Sequence, residues 1–314
     1  MKYAMLFPGQ GSQSVGMLGP LSQEAPQVAQ TFDEAGAALG WDVGKLVREG
    51  PADELNRTER TQPALLAAGI AVWRVWQARG VPPPVAMAGH SLGEYSALVA
   101  AGAIAFADAL KLVELRGQLM QQAMPPGSGG MAAVVGLDDE GIARLCGAYT
   151  GGEMLEPANF NAPGQVVLAG TSGALKWVEA HAREHGARMV VRLPVSVPSH
   201  CSAMKTAALT MAGRMTAVSF HTPAIPVLHN LDAAVHPSAP ALKAALREQL
   251  YKPVRWTQTI QGLRQQGAQL FLECGPGRVL SGLNKRILDK DAQSFALEDA
   301  AALEQAAQRI EGKS

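Results

Sequence analysis

Short apolar runs alternate with longer helical runs along most of this chain. Tyr3 to Phe7, Val85 to Ala88 and Gln269 to Cys274 are apolar and of strand length, whereas Ala64 to Arg79 is an apolar run of helix length. The amphipathic run Asp299 to Ile310 predicts a last helix. This alternation predicts an α/β fold with helices packed on a sheet.

The pattern changes between the linker Pro125 to Gly130 and the prolines Pro194 and Pro198. Here it predicts strand, helix, strand, strand, helix and strand over Met131 to Gly136, Asp138 to Gly147, Met154 to Phe160, Gln165 to Gly170, Ser172 to Gly186 and Ala187 to Leu193, with a turn at Asn161 to Gly164. This is the order of a ferredoxin-like unit. We therefore expect a small domain over residues 124–197, inserted into a discontinuous domain of residues 1–123 and 198–314, with the ligand site in the cleft between them.

A Gly-x-Ser-x-Gly motif, Gly89-His90-Ser91-Leu92-Gly93, joins the apolar run 85–88 to a helical run that begins at Glu94. Between a strand and a helix, this motif indicates a nucleophile elbow that presents the serine hydroxyl. The glycines suit a turn with strained angles and close approach of neighbouring chain. Ser91 would then lie at a helix N-terminus, where unpaired N–H groups favour an oxyanion. The alternative is a structural joint with a helix-capping serine.

A Gly-rich loop, Pro8 to Gln13, follows the first predicted strand. It does not match a dinucleotide-binding motif, because Ser14 stands where a third Gly or Ala is needed. It does not match a Walker loop either, because Met17 stands where Lys is needed. The loop can bring a backbone N–H and the side chain of Gln10 close to a ligand, or it can be an ordinary turn.

Arg116 interrupts the apolar stripe of a helix that we predict over Ala109 to Ala123, with Asp108 as its capping residue. An arginine on an inward face needs a partner or an anion, because an unpaired buried charge is costly. Guanidinium suits the two-pronged binding of a carboxylate. The periodicity by itself slightly favours the other interpretation, in which Arg116 extends its charged end to water.

His200 is the histidine best placed to act as a general base, although the sequence favours it only modestly. It lies between Pro198 and a predicted helix, Ser202 to Met215, so its loop is held at an element end. His90 adjoins Ser91, and we expect its side chain to point away from the serine. The neighbouring Cys201 has no catalytic motif around it and is expected to be a buried structural residue. The other histidines lie on the small-domain helix or near Pro-rich connections; they are His181, His185, His221, His229 and His236.

The string His181-Ala182-Arg183-Glu184-His185 matches the H-x-x-E-H pattern of some zinc enzymes. Two histidines four residues apart on a helix can share a metal ion. However, one side of a ferredoxin-like helix faces solvent, so we interpret the string as a charged surface and expect no metal site.

The composition narrows the class of protein. The 314 residues are 47% hydrophobic and carry 27 basic and 27 acidic side chains, and a net charge of zero argues against a general nucleic-acid binder. Three widely separated cysteines fit neither a zinc site nor a disulfide framework, which suits a reducing cytoplasm. We recognise no signal peptide and no run of membrane-spanning length, so we expect a cytoplasmic enzyme that does not enter a membrane.

Several of these segments together resemble the malonyl-CoA:acyl carrier protein transacylases of bacterial fatty acid synthesis. The resemblance runs through the whole chain and rests on Phe7-Pro8-Gly9-Gln10-Gly11-Ser12-Gln13, Gly89-His90-Ser91-Leu92-Gly93-Glu94, Arg116, Pro198-Ser199-His200 and Gln249-Leu250-Tyr251-Lys252-Pro253-Val254. It implies an α/β-hydrolase-like large domain with an inserted ferredoxin-like domain.

The resemblance also implies roles for individual residues. Ser91 is the expected nucleophile and His200 its base, and Arg116 is expected to bind the free carboxylate of a malonyl group. The backbone N–H groups of Gln10 and Leu92 are expected to form the oxyanion hole. In this family a backbone carbonyl, here near Gln249, orients the histidine in place of an acidic residue. Gln10, Met131 and Asn161 are further expected substrate-binding residues.

The chemistry that the resemblance implies is a ping-pong transfer with no metal and no bound cofactor. Malonyl-CoA acylates the serine, and the phosphopantetheine thiol of acyl carrier protein then accepts the malonyl group. Close relatives with the same motifs are a polyketide acyltransferase that works in trans and the malonyl transferase of malonate decarboxylase. A serine hydrolase or thioesterase, and a non-catalytic module that binds carrier protein, are alternatives of other classes.

The expected partners are coenzyme A thioesters and acyl carrier protein, and we expect a monomer. Arg278, Lys285 and Arg286 are candidate contacts for an acidic partner, although a solvated basic face is the more ordinary interpretation.

Overall fold

The computed structural model describes residues 1–195 and 197–312. Its strands are β1 (Tyr3–Phe7), β2 (Ala86–Gly89), β3 (Gly129–Val135), β4 (Leu155–Ala162), β5 (Gln165–Thr171), β6 (Met189–Arg192), β7 (Val227–Leu228), β8 (Leu270–Glu273) and β9 (Gln293–Ala296). Its helices are α1 (Gly19–Glu24), α2 (Pro26–Leu39), α3 (Val43–Glu49), α4 (Ala52–Leu55), α5 (Thr58–Gln77), α6 (Gly93–Ala100), α7 (Phe106–Gln122), α8 (Asp139–Ala148), α9 (Ser172–His181), α10 (Lys205–Met215), α11 (Ala239–Gln249), α12 (Trp256–Gln265), α13 (Val279–Asn284) and α14 (Ala300–Glu311). A single 3₁₀ turn, Ser202–Met204, precedes α10.

A parallel sheet with the strand order β7-β2-β1-β8-β9 lies at the centre of the larger part of the molecule. All residues of β1, β2 and β8 are buried, as expected for a parallel sheet that helices cover on both faces. The register pairs Phe7 with Gly89, and Ala88 with Leu228. The loops that follow β1, β2 and β7 therefore emerge side by side at one edge of the sheet, where ligands bind in folds of this kind.

A second, antiparallel sheet has the strand order β4-β5-β3-β6 and carries α8 and α9. Both helices begin at a capping side chain, since Asp138 accepts from Gly141 N at 2.7 Å and Thr171 accepts from Ala174 N at 3.2 Å. The order of elements and strands is ferredoxin-like, as the sequence predicts. A separate apolar core that includes Ile142 and Leu175 lies between this sheet and its helices.

The two sheets are joined by backbone hydrogen bonds through one connecting segment. Phe160 N donates to Val254 O at 2.8 Å, and Val254 N donates to Ala158 O at 2.9 Å. The smaller sheet is thus attached to the larger part through β4 and the segment before α12. The mixed α/β architecture, with a hydrolase-like part and a ferredoxin-like part, agrees with the predicted fold class.

Several local predictions are wrong. Asp108 does not cap its helix: α7 begins at Phe106 after the capping position Ala105, and Asp108 lies in the first turn. Gly129 and Gly130 belong to β3 rather than to a linker, because they pair with Thr171 and Gly170. Here the hydrogen bonds of a neighbouring strand override the weak strand preference of glycine.

The predicted turn at Asn161 begins later in the chain, because Asn161 lies within β4. The predicted helix 172–186 ends at His181, so the H-x-x-E-H string extends into a turn. The imidazoles of His181 and His185 both pack against Trp177. In the described part of the chain, no group of three or more His, Cys, Asp or Glu side chains could hold a metal ion.

Strand β9 was not predicted, because only half of its residues are strongly apolar and all of them are partly or fully accessible. It forms the edge of the parallel sheet, where burial is incomplete. Among the helices of residues 1–195 and 197–312, none is both long and apolar enough to cross a membrane.

Candidate active site

The Gly-x-Ser-x-Gly motif forms a sharp turn from β2 into α6. A Cβ at Gly89 would lie 1.9 Å from the backbone of Gly93, and one at Gly93 would lie 2.0 Å from Phe7 O. Both glycines are therefore required by close approach. The backbone strain lies at Ser91 itself, whose φ is +52°. Non-glycine residues in this region are uncommon and concentrate at functional sites.

The Gly-rich loop after β1 packs directly on this turn. A Cβ at Gly9 would lie 2.5 Å from His90 O, so only glycine permits the contact. The loop therefore runs beside the serine, as parallel pairing of β1 and β2 requires. In the part of the chain that the structure describes, the backbone N–H groups of Gln10 and Leu92 donate no hydrogen bond. Both are available as donors to an oxygen atom.

His200 contacts the serine directly. Its Nε2 lies 2.7 Å from Ser91 Oγ, and its Nδ1 lies 2.8 Å from the backbone carbonyl oxygen of Gln249. Because a carbonyl oxygen can only accept, Nδ1 carries the proton and Nε2 accepts from the serine hydroxyl. His200 is buried, and like Ser91 it has a positive φ, +58°. The two strained residues face one another.

The surroundings of His200 favour its neutral form. Burial, together with the nearby positive charge of Arg116, lowers its pKa from 6.5 to about 3, although the hydrogen bond to Gln249 opposes the shift. The imidazole therefore has a free lone pair on Nε2 at neutral pH and can take a proton from the hydroxyl it contacts.

Arg116 is buried and belongs to the same group of contacts. Its side chain is 1% exposed, so it does not extend to water. Its Nη2 donates to Ser91 Oγ at 3.1 Å, and its Nη1 donates to Gln62 Oε1 at 2.8 Å. In the described residues no carboxylate forms an ion pair with it. A buried guanidinium held only by neutral groups is suited to bind an anionic ligand.

Gln62 and the side chain of Gln249 were not found by sequence reasoning. Gln249 Oε1 accepts from Arg116 Nη2 at 3.0 Å, and its Nε2 donates to Ser91 O at 2.9 Å. Gln62 lies on the buried α5, directly before its apolar run, and a polar residue at this boundary gives no sequence signal of a functional role. The two glutamines hold the guanidinium from either side and fix its direction towards the serine.

Asn161 and Met131 lie near this group without touching the serine hydroxyl. Asn161 Oδ1 lies 2.8 Å from His90 Nε2, so the His90 side chain is directed at β4. Met131 is buried, and its sulfur accepts from Ser199 Oγ at 3.2 Å, next to His200. Both residues belong to the smaller sheet and face the larger part of the molecule.

A pocket of about 570 Å³ lies between the two parts of the molecule. The larger part lines it with Gln10, Asp53, residues 56–59 and Gln121, and the smaller part lines it with residues 193–195. The Gln10 loop therefore connects the pocket to the elbow.

The candidate contacts for an acidic partner are partly occupied. Arg278 is ion-paired with Glu298 at 2.5 Å, and Arg286 contacts Gln165, so two of the three candidate docking cations already have partners.

The chain is similar to known proteins over almost its whole length. The family model described as acyl transferase domain matches residues 4–304. The malonyl CoA-acyl carrier protein transacylase of Salmonella typhimurium is 51% identical over 302 residues, which cover 96% of this chain and 97% of that protein.

Solved structures agree. A complex of a type II polyketide acyl carrier protein with its malonyl-transacylase contains a chain that is 50% identical and superposes with a TM-score of 0.96, covering 98% of this chain and all (100%) of that one. The crystal structure of an acyl carrier protein S-malonyltransferase from Vibrio cholerae is 51% identical, with a TM-score of 0.95 over 98% of this chain and 100% of that one. With a serine elbow, a paired histidine and near-complete coverage in sequence and structure, the chain belongs to the acyl transferase domain family.

Proposed function

We propose that this protein transfers the malonyl group from malonyl-CoA to the phosphopantetheine thiol of acyl carrier protein, through a malonyl-serine intermediate. The observation that carries the proposal is the contact of one serine hydroxyl with both a neutral histidine and a buried guanidinium. The first partner supplies a base, and the second supplies a binding group for the free carboxylate of the acyl chain.

The first half-reaction forms the ester. His200 Nε2 takes the proton of Ser91 Oγ as the oxygen attacks the thioester carbonyl carbon. The resulting oxyanion accepts from the N–H groups of Gln10 and Leu92, each contributing about 3 kcal/mol in the transition state. The carbon–sulfur bond then breaks, and the leaving CoA sulfur takes the proton from His200. The enzyme is left with a malonyl ester on Ser91 and a neutral histidine.

The second half-reaction uses the same groups in reverse. The phosphopantetheine thiol gives its proton to His200, and its sulfur attacks the ester carbonyl carbon. The carbon–oxygen bond to Ser91 breaks, and Ser91 Oγ takes the proton back. The carbonyl of Gln249 holds the ring of His200 in one tautomer throughout, which is the role of the acidic residue in a three-membered triad.

Arg116 selects the acyl group. A malonyl carboxylate can replace the neutral contacts of the guanidinium with a two-pronged ion pair. An acetyl group leaves the buried guanidinium without that partner, and a site built around a polar contact rejects ligands that lack it. Gln10, Met131 and Asn161 complete the substrate-binding surface in this proposal.

The names of the curated relatives support acyl carrier protein as the acceptor, and with it a role in fatty acid elongation. The polyketide carrier in a solved complex of a 50% identical chain supports a second candidate, transfer to a polyketide carrier protein. Competition between the two carriers for the same malonyl-enzyme distinguishes these functions, because the preferred acceptor removes the malonyl group faster.

The proposal includes a monomeric enzyme in the cytoplasm, with residues 124–197 as an inserted domain. Cys146, Cys201 and Cys274 are all free thiols, which supports a reducing compartment. The enzyme needs no metal or bound cofactor in this scheme, since the two substrates and the named side chains balance every proton.

The test is an intact mass measured after mixing the protein with malonyl-CoA alone. Wild type should gain one malonyl group and release CoA, whereas Ser91→Ala should gain nothing. Adding carrier protein should then remove the malonyl group from the serine and place it on the carrier. Release of free malonate instead would identify a hydrolase, and absence of any mass gain would overturn the proposed function.

A further inference from the structure

The side-chain amide of Asn230 bridges two peptide groups of the nucleophile elbow. Ser91 N donates to Asn230 Oδ1 at 2.7 Å, and Asn230 Nδ2 donates to Gly89 O at 2.6 Å. Chemistry fixes the directions of both bonds, because an N–H can only donate and a carbonyl oxygen can only accept. Asn230 is fully buried, so water does not compete for these bonds.

The two bonds of Asn230 hold the peptide groups on either side of His90, the residue directly before the strained Ser91. Ser91 keeps a φ of +52° only because its surroundings hold it there, and the amide contacts the peptide groups before and after His90. The bridge also occupies the backbone N–H of Ser91. That N–H is therefore not free to bind a developing oxyanion, whereas the next one along the chain, that of Leu92, donates no hydrogen bond in the described residues.

The carboxylate of Glu94 binds both the backbone of Asn230 and the side chain of the preceding residue, His229. Its Oε2 accepts from Asn230 N at 2.7 Å, and its Oε1 accepts from Nδ1 of His229 at 2.7 Å. Glu94 and His229 are both fully buried. Because Glu94 lies in the first turn of α6, the helix that follows the nucleophile is joined to the segment after β7, and that segment is joined back to the elbow through Asn230.

We propose that Asn230 is a positioning residue for the nucleophile, held in place by Glu94, and that it reserves the Leu92 N–H rather than the Ser91 N–H for the oxyanion. Asn230 acts through the backbone of the elbow and does not touch the substrate. The proposal rests on the acyl-transfer function proposed above. The roles assigned to Ser91, His200 and Arg116 were argued without the positioning role of Asn230.

The experiment measures serine reactivity and substrate affinity separately. The second-order rate of inactivation by a fluorophosphonate reports on the nucleophile without using the carboxylate site. For Asn230→Ala we expect this rate to fall on the order of 10²-fold, because small displacements of a reacting atom have effects of this size. We expect the Kd of malonyl-CoA, measured by calorimetry in a Ser91→Ala background, to stay within about twofold, because Arg116 and its glutamine partners are unchanged.

Asn284→Ala is the matched control. Asn284 is also a fully buried amide, but it contacts Trp256 and Ser294 instead of the elbow. It should lower the melting temperature as Asn230→Ala does and leave the inactivation rate within about threefold of wild type. Inactivation of Asn230→Ala at the wild-type rate, or a loss of malonyl-CoA affinity as large as the loss of rate, overturns the proposal.

Glu94 supplies a second test that does not depend on the folding of Asn230→Ala. Glu94→Gln keeps an oxygen that can accept from Asn230 N and should react within about threefold of wild type, whereas Glu94→Ala should react on the order of tenfold more slowly. Equal rates for the two variants overturn the proposal. If wild type itself does not react with the fluorophosphonate, the proposed function fails and the positioning role fails with it. A reactive wild type with an unaffected Asn230→Ala removes the positioning role alone.

Discussion

Arg116 Nη2 lies 3.1 Å from Ser91 Oγ and donates a hydrogen bond to it. One guanidinium nitrogen therefore contacts the nucleophile in the free enzyme, while the opposite nitrogen is held by Gln62. In the proposed reaction a malonyl carboxylate competes for this guanidinium and leaves the serine hydroxyl bonded to His200 alone. Binding of the substrate carboxylate and preparation of the nucleophile are thus coupled through one side chain.

Replacing Arg116 with Ala should change the choice of acyl group. The kcat/KM for malonyl-CoA should fall at least about 100-fold, since charge-assisted hydrogen bonds contribute about 1.5–3 kcal/mol each. Acetyl transfer should hold or rise, because the acetyl group no longer leaves a buried guanidinium unpaired. Steady-state rates with the two CoA thioesters measure both effects. A similar loss for malonyl-CoA and acetyl-CoA would contradict the carboxylate-binding role.

The rate of fluorophosphonate inactivation should depend weakly on pH down to about pH 4. The pKa of His200 is lowered to about 3, first by burial and then by Arg116, so the imidazole stays neutral over this range. In Arg116→Ala the second cause is removed, and the acid limb of the profile should move to higher pH. An unchanged acid limb would show that Arg116 does not act on the basicity of His200.

Folding stability should also depend on His200. Its folded-state pKa is lower than its ordinary value of 6.5, so the unfolded chain binds more protons between about pH 6.5 and about pH 3. The contribution of the neutral buried ring is complete above pH 6.5 and is lost as the pH falls towards 3. Urea unfolding of His200→Gln should show a shallower loss of stability in that window than wild type.

Substitutions of the two glutamines beside Arg116 should have different effects on substrate use and on serine reactivity. Gln62→Leu removes a contact of the guanidinium and a weak one to the Met120 sulfur, but none to the elbow, so kcat/KM for malonyl-CoA should fall about tenfold while the fluorophosphonate rate stays within about threefold of wild type. Gln249→Leu keeps the carbonyl that holds His200 but also removes the bond to Ser91 O, so both rates should fall. Identical profiles for the two variants would mean that the Gln249 side chain does not support the elbow.

Gly93→Ala should be among the most destabilising single substitutions in the chain. The new Cβ would lie 2.0 Å from Phe7 O, a backbone atom of a buried strand that cannot move aside, and the cost should reach about 3 kcal/mol or more. Gly213→Ala in α10 is the matched control, because no atom outside the local helix backbone lies within 4 Å of the position that a Cβ would take there. It should stabilise the protein by about 0.5–1 kcal/mol. Thermal unfolding of the two variants measures the difference.

The periodicity of the chain was sufficient to predict the elements that are strongly apolar and bounded by turn residues. Strand β1, strand β2 and the six elements of the ferredoxin-like part follow from it, although α9 ends at His181 rather than at the predicted Gly186. It failed where the pattern is weak. Strand β9 is an accessible edge, and Gly129 and Gly130 are strand residues only because β5 pairs with them.

The sequence by itself determined which residue types are present for acyl-transfer chemistry, and the motif resemblance associated Ser91, His200 and Arg116 before any geometry was known. Only the tertiary structure decided that Arg116 is buried, since periodicity alone cannot tell an inward arginine from one that extends to water. It also placed the side chains of Gln62 and Gln249 against Arg116, and that of Asn230 against the elbow. These amides lie on separate parts of the chain, and long-range packing of the sheet and helices brings them to Arg116 or to the nucleophile elbow, which no local pattern records.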